Sequence, residues 1–327
     1  MSRTVWRKKK SVLFSDAASS LLIGGAVVLA LDVGRRIFRR SQLFVPERKP
    51  VISWNPEDYG IPRQRTEELT FETDDGELLY GWYCRAEHPI ASALYCHGNT
   101  GNLSNTAHAM PYLMAAGINI LLFDYRGFGR STGFPTLSGI IDDGVTAARL
   151  HEKIRPRNLP SILYGYSLGG AIAAQIIRKH PFDGLVLQST FTNLPDIARV
   201  TFPRLPLHLV SGRLFDTLEV VGNLTIPILI IHGATDEVCP PWMAQKLYDS
   251  YGSASRKLIL VAGGLHKDLF ERPDVQTLVS EINRFATDLR CTPHAVQHKA
   301  SPGELLLDQS LRFVRRHWRR HLVQQPL

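Results

Sequence analysis

Cysteine is scarce in this sequence. Its 327 residues hold four, Cys84, Cys96, Cys239 and Cys291, with no C-x-x-C pair. That spacing excludes a zinc ribbon and a disulfide-stapled scaffold. Internal repeats and low-complexity blocks are also missing, which excludes solenoid and fibrous architectures. The metalloprotease pattern H-E-x-x-H is absent. His294/His298 and His317/His321 each stand four apart, but neither pair carries the glutamate. Both pairs read as structural or solvated, and no metal is expected. A dinucleotide fingerprint is lacking too. In Gly127-Phe-Gly129-Arg-Ser-Thr-Gly133 the third glycine comes one residue late. No organic cofactor is expected.

Charge is thin where a nucleic-acid enzyme would need it. The formal net charge is +8, and residues 1–50 alone carry +8. Residues 51–302 carry −3, and the tail from 303 carries +3. A nucleic-acid enzyme places its basic residues on the folded domain. Positive ends flanking a mildly acidic middle suit a membrane surface instead. No nucleic-acid partner is expected.

Long apolar runs are also lacking. The charge-free stretch Ala17–Leu31 spans 15 residues, whereas a spanning helix needs about 20. Extended to 12–33, the run gains Asp16 and Asp32 near its ends, where charge costs less. With Lys8-Lys-Lys10 before it and Arg35-Arg36 after it, residues 1–40 read as a single-pass N-terminal membrane anchor. A cleaved signal peptide ending near Val28-Leu29-Ala30 is the rival. Both flanks are basic, so charge assigns no side of the membrane. Residues 41–66 read as a connector. In the tail, 291–327, Leu307, Leu311, Val314, Trp318 and Leu322 fall near one helical face, opposite five arginines. That pattern is an interfacial amphipathic helix, with a helix packed on the domain as the alternative.

What is abundant is alternation between strand-like and helix-like segments over 67–290. Two strands flank the turn Asp74-Asp75-Gly76. Short apolar strands follow at Ala91–Cys96, Ile118–Phe123, Ser161–Tyr166, Gly184–Gln188, Pro227–Ile231 and Lys257–Val261. Helical stretches separate them, at 103–116, at 138–154 with Ser138 as N-cap, at 168–179, and at 241–251. A last one covers 274–289. This is the pattern of a mostly parallel twisted sheet with helices on both faces. A longer apolar insertion, about 189–224, carries Phe191, Leu194, Phe202 and Phe215 with three prolines. It reads as a lid over an apolar pocket, or as a helical excursion packed on the sheet.

The chemistry begins at Gly165-Tyr166-Ser167-Leu168-Gly169. It matches G-x-S-x-G between a strand and a helix, where a tight turn lifts a serine Oγ above the sheet edge. A nucleophilic serine needs a base, and the base needs an orienting acid. Asp236 and His266 each follow a later strand, in the order Ser, Asp, His. Asp268 competes with Asp236 for the acid, but it stands two residues after the base and suits the start of a short helix. The strand Ala91–Cys96 runs into His97-Gly98-Asn99-Thr100-Gly101-Asn102. The backbone amides of Asn99 and Leu168 are the expected oxyanion-hole donors. His97 precedes the nucleophile and reads as a buried structural histidine. Asp124 and Arg126 also read as structural.

These motifs, with Asp124-Tyr-Arg-Gly-Phe-Gly-Arg-Ser131 and Leu43-Phe-Val-Pro46, resemble the α/β-hydrolase superfamily. More narrowly, the chain is similar to its membrane-anchored bud-emergence-like subgroup, whose relatives include protein depalmitoylases and serine-aminopeptidase-like domains. The resemblance covers about residues 12–288 and stops before 292–327. It implies the α/β-hydrolase fold and a triad of Ser167, Asp236 and His266. The expected activity is hydrolysis of an ester or thioester in an acyl lipid, small acyl molecule or acylated protein. A peptidase or amidase with the same triad is one alternative, and a catalytically silent membrane scaffold is another.

Overall fold

The computed structural model describes residues 43–204, 215–253 and 255–291. The expected anchor in residues 1–40 lies outside them, as does the expected tail helix from 292 onward. Among the described residues no helix is long and apolar enough to cross a membrane.

Local turn chemistry starts the sheet. Strands β2 (Thr66–Glu72) and β3 (Leu78–Cys84) form an antiparallel hairpin in which Thr66 pairs with Cys84 and Glu72 with Leu78. In its turn, the N–H of Gly76 donates to the Thr73 carbonyl at 3.0 Å, and Gly76 adopts φ +87°, which a residue without Cβ reaches at little cost. Next come β4 (Ala91–Cys96), β6 (Ile118–Phe123), β7 (Ser161–Tyr166), β8 (Gly184–Gln188), β9 (Ile228–Gly233) and β10 (Arg256–Val261). The order across the sheet is β10-β9-β8-β7-β4-β6-β3-β2. From β10 to β6 every pairing is parallel, and β3 and β2 join antiparallel at one edge.

Period-two alternation divides the core into two layers. Leu94, Leu121, Leu163, Leu185 and Ile230 face one side. Their chain neighbours Ala93, Leu122, Ile162, Val186 and Ile231 face the other. The first layer packs against α2 (Leu137–Ile154), α3 (Leu168–Ile176) and α6 (Trp242–Ser250). The second packs against α1 (Met110–Ala115) and α7 (Val275–Cys291). Central strands buried on both faces are continuous apolar runs for this reason.

Three of the expected helix boundaries move for a reason visible in the chain. The helix expected over 103–116 is two 3₁₀ turns, Leu103–Asn105 and Ala107–Ala109, followed by the short α1. Pro111 in the first turn of α1 has no N–H to extend a helix backward. The N-cap of α2 is Thr136 rather than Ser138, since the Thr136 side chain accepts from the Gly139 N–H at 3.0 Å. Helix α3 ends at Ile176 rather than 179, where the N–H of Lys179 turns back to the Ile176 carbonyl at 2.8 Å. The insertion after β8 carries α4 (Leu194–Thr201) and α5 (Thr217–Gly222).

The stretch from residue 43 to 65, read as a connector, folds onto the domain. Val45–Pro46 forms a two-residue strand, β1, paired in parallel with β5 (Thr100–Gly101). Phe44 is buried in the first core layer, and the 3₁₀ turn Pro56–Tyr59 places Tyr59 against Trp82. Backbone hydrogen bonds to a distant loop make this segment part of the domain.

Beside the β2–β3 turn lies a buried ion cluster. The Arg126 guanidinium donates to Asp143 Oδ1 from Nε at 2.9 Å and from Nη2 at 2.8 Å, and to Asp75 at 2.7 and 3.0 Å. The Arg126 backbone N–H completes the Asp143 carboxylate at 2.8 Å. Burial pushes the Asp143 carboxyl up, against the pull of the guanidinium. The same guanidinium holds the exposed Asp75 down to about 2. Arg126 thus ties the loop after β6 to α2 and to the β2–β3 turn, the structural role its sequence suggested.

Candidate active site

The sharp turn from β7 into α3 dictates the site. Ser167 adopts φ +54° and ψ −122°, a conformation costing a non-glycine residue about 1–3 kcal/mol. Three hydrogen bonds hold it there. The Ser167 N–H donates to the Gln188 carbonyl at 2.9 Å. Its carbonyl accepts from Thr190 Oγ1 at 2.7 Å and from the Gly170 N–H at 3.0 Å. The flanking glycines are needed for close approach. A Cβ on Gly169 would lie 2.0 Å from the Cys96 carbonyl oxygen, and one on Gly165 would lie 2.5 Å from Gly170 Cα.

Loops after β9 and β10 bring the other two expected residues to this serine. His266 Nδ1 lies 2.8 Å from Asp236 Oδ2, and His266 Nε2 lies 3.0 Å from Ser167 Oγ. A carboxylate only accepts, so Nδ1 carries the ring proton and Nε2 accepts from the serine hydroxyl. All three side chains are buried, with Ser167 8% exposed. Asp236 Oδ1 accepts from the N–H groups of Val238 and Cys239, each at 2.9 Å. The Asp236 and His266 loops are joined by the N–H and Oγ1 of Thr235, which donate to the Gly264 carbonyl at 3.0 and 2.9 Å. Asp268 shapes the His266 loop, its Oδ1 accepting from the Leu265 N–H at 2.7 Å.

The loop after β4 closes the far side. A Cβ on Gly98 would lie 3.5 Å from Ser167 Cβ, so this loop runs alongside the serine. His97 Nδ1 donates to the Gly98 carbonyl at 2.8 Å, which orients the peptide whose N–H belongs to Asn99. The His97 ring is buried against Tyr125 and Phe128, with Nε2 3.5 Å from Asp124 Oδ1. Burial pushes the Asp124 carboxyl up. Leu168, the first residue of α3, has no carbonyl one turn back within its helix to accept its N–H. Its amide and the helix dipole point at the serine side of the turn.

Sequence reasoning missed His232, Thr190 and Tyr166. His232 Nε2 donates to the Cys239 carbonyl at 2.6 Å and lies 3.4 Å from Asp236 Oδ2. Burial lowers the pKa of this imidazole, so a neutral ring backs the carboxylate. The signal was its spacing four residues before Asp236, with His232 near the end of β9 and Asp236 in the loop that follows. Tyr166 Oη donates to the His266 carbonyl at 3.3 Å. Among the described residues no group of three or more His, Cys, Asp or Glu could hold a metal ion.

The sequence profile of the family described as serine aminopeptidase, S33, matches residues 87–222 and 213–273. An uncharacterised protein of Escherichia coli K12 is 34% identical over 233 residues, covering 66% of this chain and 79% of its own length. An uncharacterised membrane protein of Saccharomyces cerevisiae is 27% identical over 267 residues, covering 76% and 91%. Among solved structures, an esterase from Pyrococcus furiosus superposes with a TM-score of 0.60 at 19% identity, covering 76% of this chain and 98% of its own.

Proposed function

Because the chain belongs to the serine aminopeptidase family of α/β hydrolases, we propose that this hydrolase cleaves an ester or thioester of an acyl lipid or acylated molecule through Ser167, His266 and Asp236. The hydrogen-bonded line from Ser167 Oγ through the His266 ring to buried Asp236 carries the reading. His266 Nε2 takes the serine proton as Oγ attacks the acyl carbonyl carbon. Asp236 holds the tautomer and stabilises the imidazolium. The amides of Asn99 and Leu168 receive the oxyanion, at about 3 kcal/mol per donor. His266 then protonates the leaving alcohol or thiol. Water attacks the acyl-enzyme with His266 again as base, regenerating Ser167.

An acyl substrate is favoured by what surrounds these residues. Val238, two residues from Asp236, and Leu265, beside His266, are large exposed aliphatics. In the insertion carrying α4 and α5, Phe191, Leu194, Phe215 and Val221 are buried in the first core layer, which favours a helical excursion packed on the sheet over a lid. A peptidase or amidase reading is favoured by the family's description. Turnover of short p-nitrophenyl acyl esters against aminoacyl p-nitroanilides separates the two. Esters are expected to be hydrolysed and the amides left intact, and the reverse ranking reassigns the enzyme.

Residues 1–40 act in this proposal as a single-pass anchor, with 291–327 as a basic amphipathic tail on the same surface. The anchor, but not the tail, is what the resemblance to the bud-emergence-like subgroup implies. Support comes from the basic-apolar-basic pattern and from the yeast relative described as a membrane protein. Full-length protein is expected to pellet with membranes after alkaline carbonate washing, and a chain lacking residues 1–40 to stay in the supernatant. If both stay in the supernatant, the anchor is wrong.

A further inference from the structure

We propose that β1 and the residues after it, Val45–Lys49, position the oxyanion amide of Asn99, although they lie fifty or more residues before it. This rests on Asn99 being an oxyanion donor, as proposed above. The Val45 N–H donates to the Asn99 carbonyl at 2.9 Å, and the Glu47 N–H donates to the Gly101 carbonyl at 2.9 Å. The next residue, Asn102, returns the grip, its side-chain amide donating to the carbonyls of Glu47 at 3.1 Å and Lys49 at 2.6 Å. The loop Asn99–Asn102 is thus held along its length by a strand outside the main sheet.

The holding strand is itself tied down. The Gly129 N–H donates to the Glu47 carbonyl at 3.0 Å. The Arg48 guanidinium reaches the carbonyls of Gly129 at 3.4 Å and Gly133 at 3.3 Å, and that of Ser131. Arg126, within the same loop, is anchored to Asp143. The loop after β6, itself tied to Asp143, therefore supports β1, and β1 supports the oxyanion loop.

The two peptide planes that meet at Asn99 have different holders. The plane carrying the Asn99 N–H also carries the Gly98 carbonyl, which His97 Nδ1 fixes. The plane carrying the Asn99 carbonyl is fixed by Val45. With both planes set, the φ and ψ of Asn99 are set, and so is the aim of its N–H. Hydrogen-bond donors to an oxyanion act through pre-set geometry, so releasing one plane weakens binding of the transition state more than of the substrate.

The test uses full-length protein and a soluble short-chain acyl ester. Val45→Pro deletes the donor while keeping an extended backbone, and Val45→Ala keeps the donor. Asn99→Pro deletes the oxyanion amide itself. Val45→Pro is expected to lower kcat about tenfold with KM nearly unchanged. Affinity for an alkylboronic acid, whose tetrahedral adduct on Ser167 places an oxygen in the hole, should fall by the same factor. Val45→Ala should match wild type, and the Val45→Pro/Asn99→Pro double variant should be no slower than Asn99→Pro alone.

A Val45→Pro enzyme with unchanged kcat and boronate affinity, beside a slow Asn99→Pro enzyme, overturns the role of β1 and spares that of Asn99. Unchanged kinetics in Asn99→Pro overturns both. If Val45→Pro does not fold, Arg48→Ala decides from the exposed side. A fall in kcat and boronate affinity by a common factor supports the proposal, and unchanged values overturn it.

Discussion

Ser167→Ala is expected to abolish labelling by a fluorophosphonate probe and to lower ester turnover by about 10⁶-fold. Without Oγ no acyl-enzyme forms, and His266 is left with a proton-accepting nitrogen aimed at a methyl group. The remaining rate is that of water attack helped by the oxyanion donors and by substrate binding. Folding should survive, because Ala keeps the Cβ and the backbone bonds to Gln188, Thr190 and Gly170. A thermal melt close to wild type, beside lost labelling, isolates the chemistry from the fold. Labelling equal to wild type would show that the probe reacts elsewhere and would remove Ser167 from the mechanism.

The largest expected stability effect lies away from that chemistry. Arg126→Ala should cost about 3–5 kcal/mol in urea unfolding, because it strands the Asp143 carboxylate among buried groups. Asp75 loses the guanidinium too, but it keeps its hydrogen bond from Thr73 Oγ1 at 2.6 Å and is exposed enough to hydrate readily. The sign of the pH dependence follows from Asp143. Burial already pushes its carboxyl up, and the guanidinium opposes that shift. Removing the guanidinium pushes the carboxyl higher. A carboxyl with a raised folded-state pKa favours the fold while protonated, and loses that contribution as pH rises through the raised value. The deficit of the variant should therefore be greatest at neutral pH and shrink as the pH falls. An Arg126→Met/Asp143→Leu pair, which buries no charge, should recover most of the loss. An equal deficit at all pH values, undiminished in the pair, would mean that packing rather than stranded charge is responsible.

Much of this molecule is legible in its sequence. The central strands are apolar runs bounded by turn residues, the pattern of a mostly parallel sheet covered on both faces. Ser167, Asp236 and His266 follow three separate strands, and loops at the C-terminal edge of a parallel sheet share one side of it. Their convergence needed only the fold class. Other features depend on partners far along the chain. A two-residue strand has no periodicity, so nothing in Val45-Pro46 announces its pairing with Thr100-Gly101. His232 stands just past the expected strand Pro227–Ile231, whereas β9 runs on through it to Gly233, and its proximity to Asp236 depends on how the following loop returns. Thr136 and Ser138 are both capable caps, and only the path of the incoming chain chooses between them. Pro111 was visible, yet the apolar residues around it suggested a longer helix than it permits.

The attachment of β1 also bears on how the protein fails under stress. Its pairing with β5 spans two residues at the margin of the domain, while β7 and β8 lie deep within the main sheet. Proteins open in pieces, and short peripheral pieces open far more often than buried central ones. If Val45–Lys49 sets the aim of Asn99, peeling of this margin switches catalysis off while the core stays intact. Inactivation on mild heating would then be reversible and would precede global unfolding, as the first step of a graded loss of order.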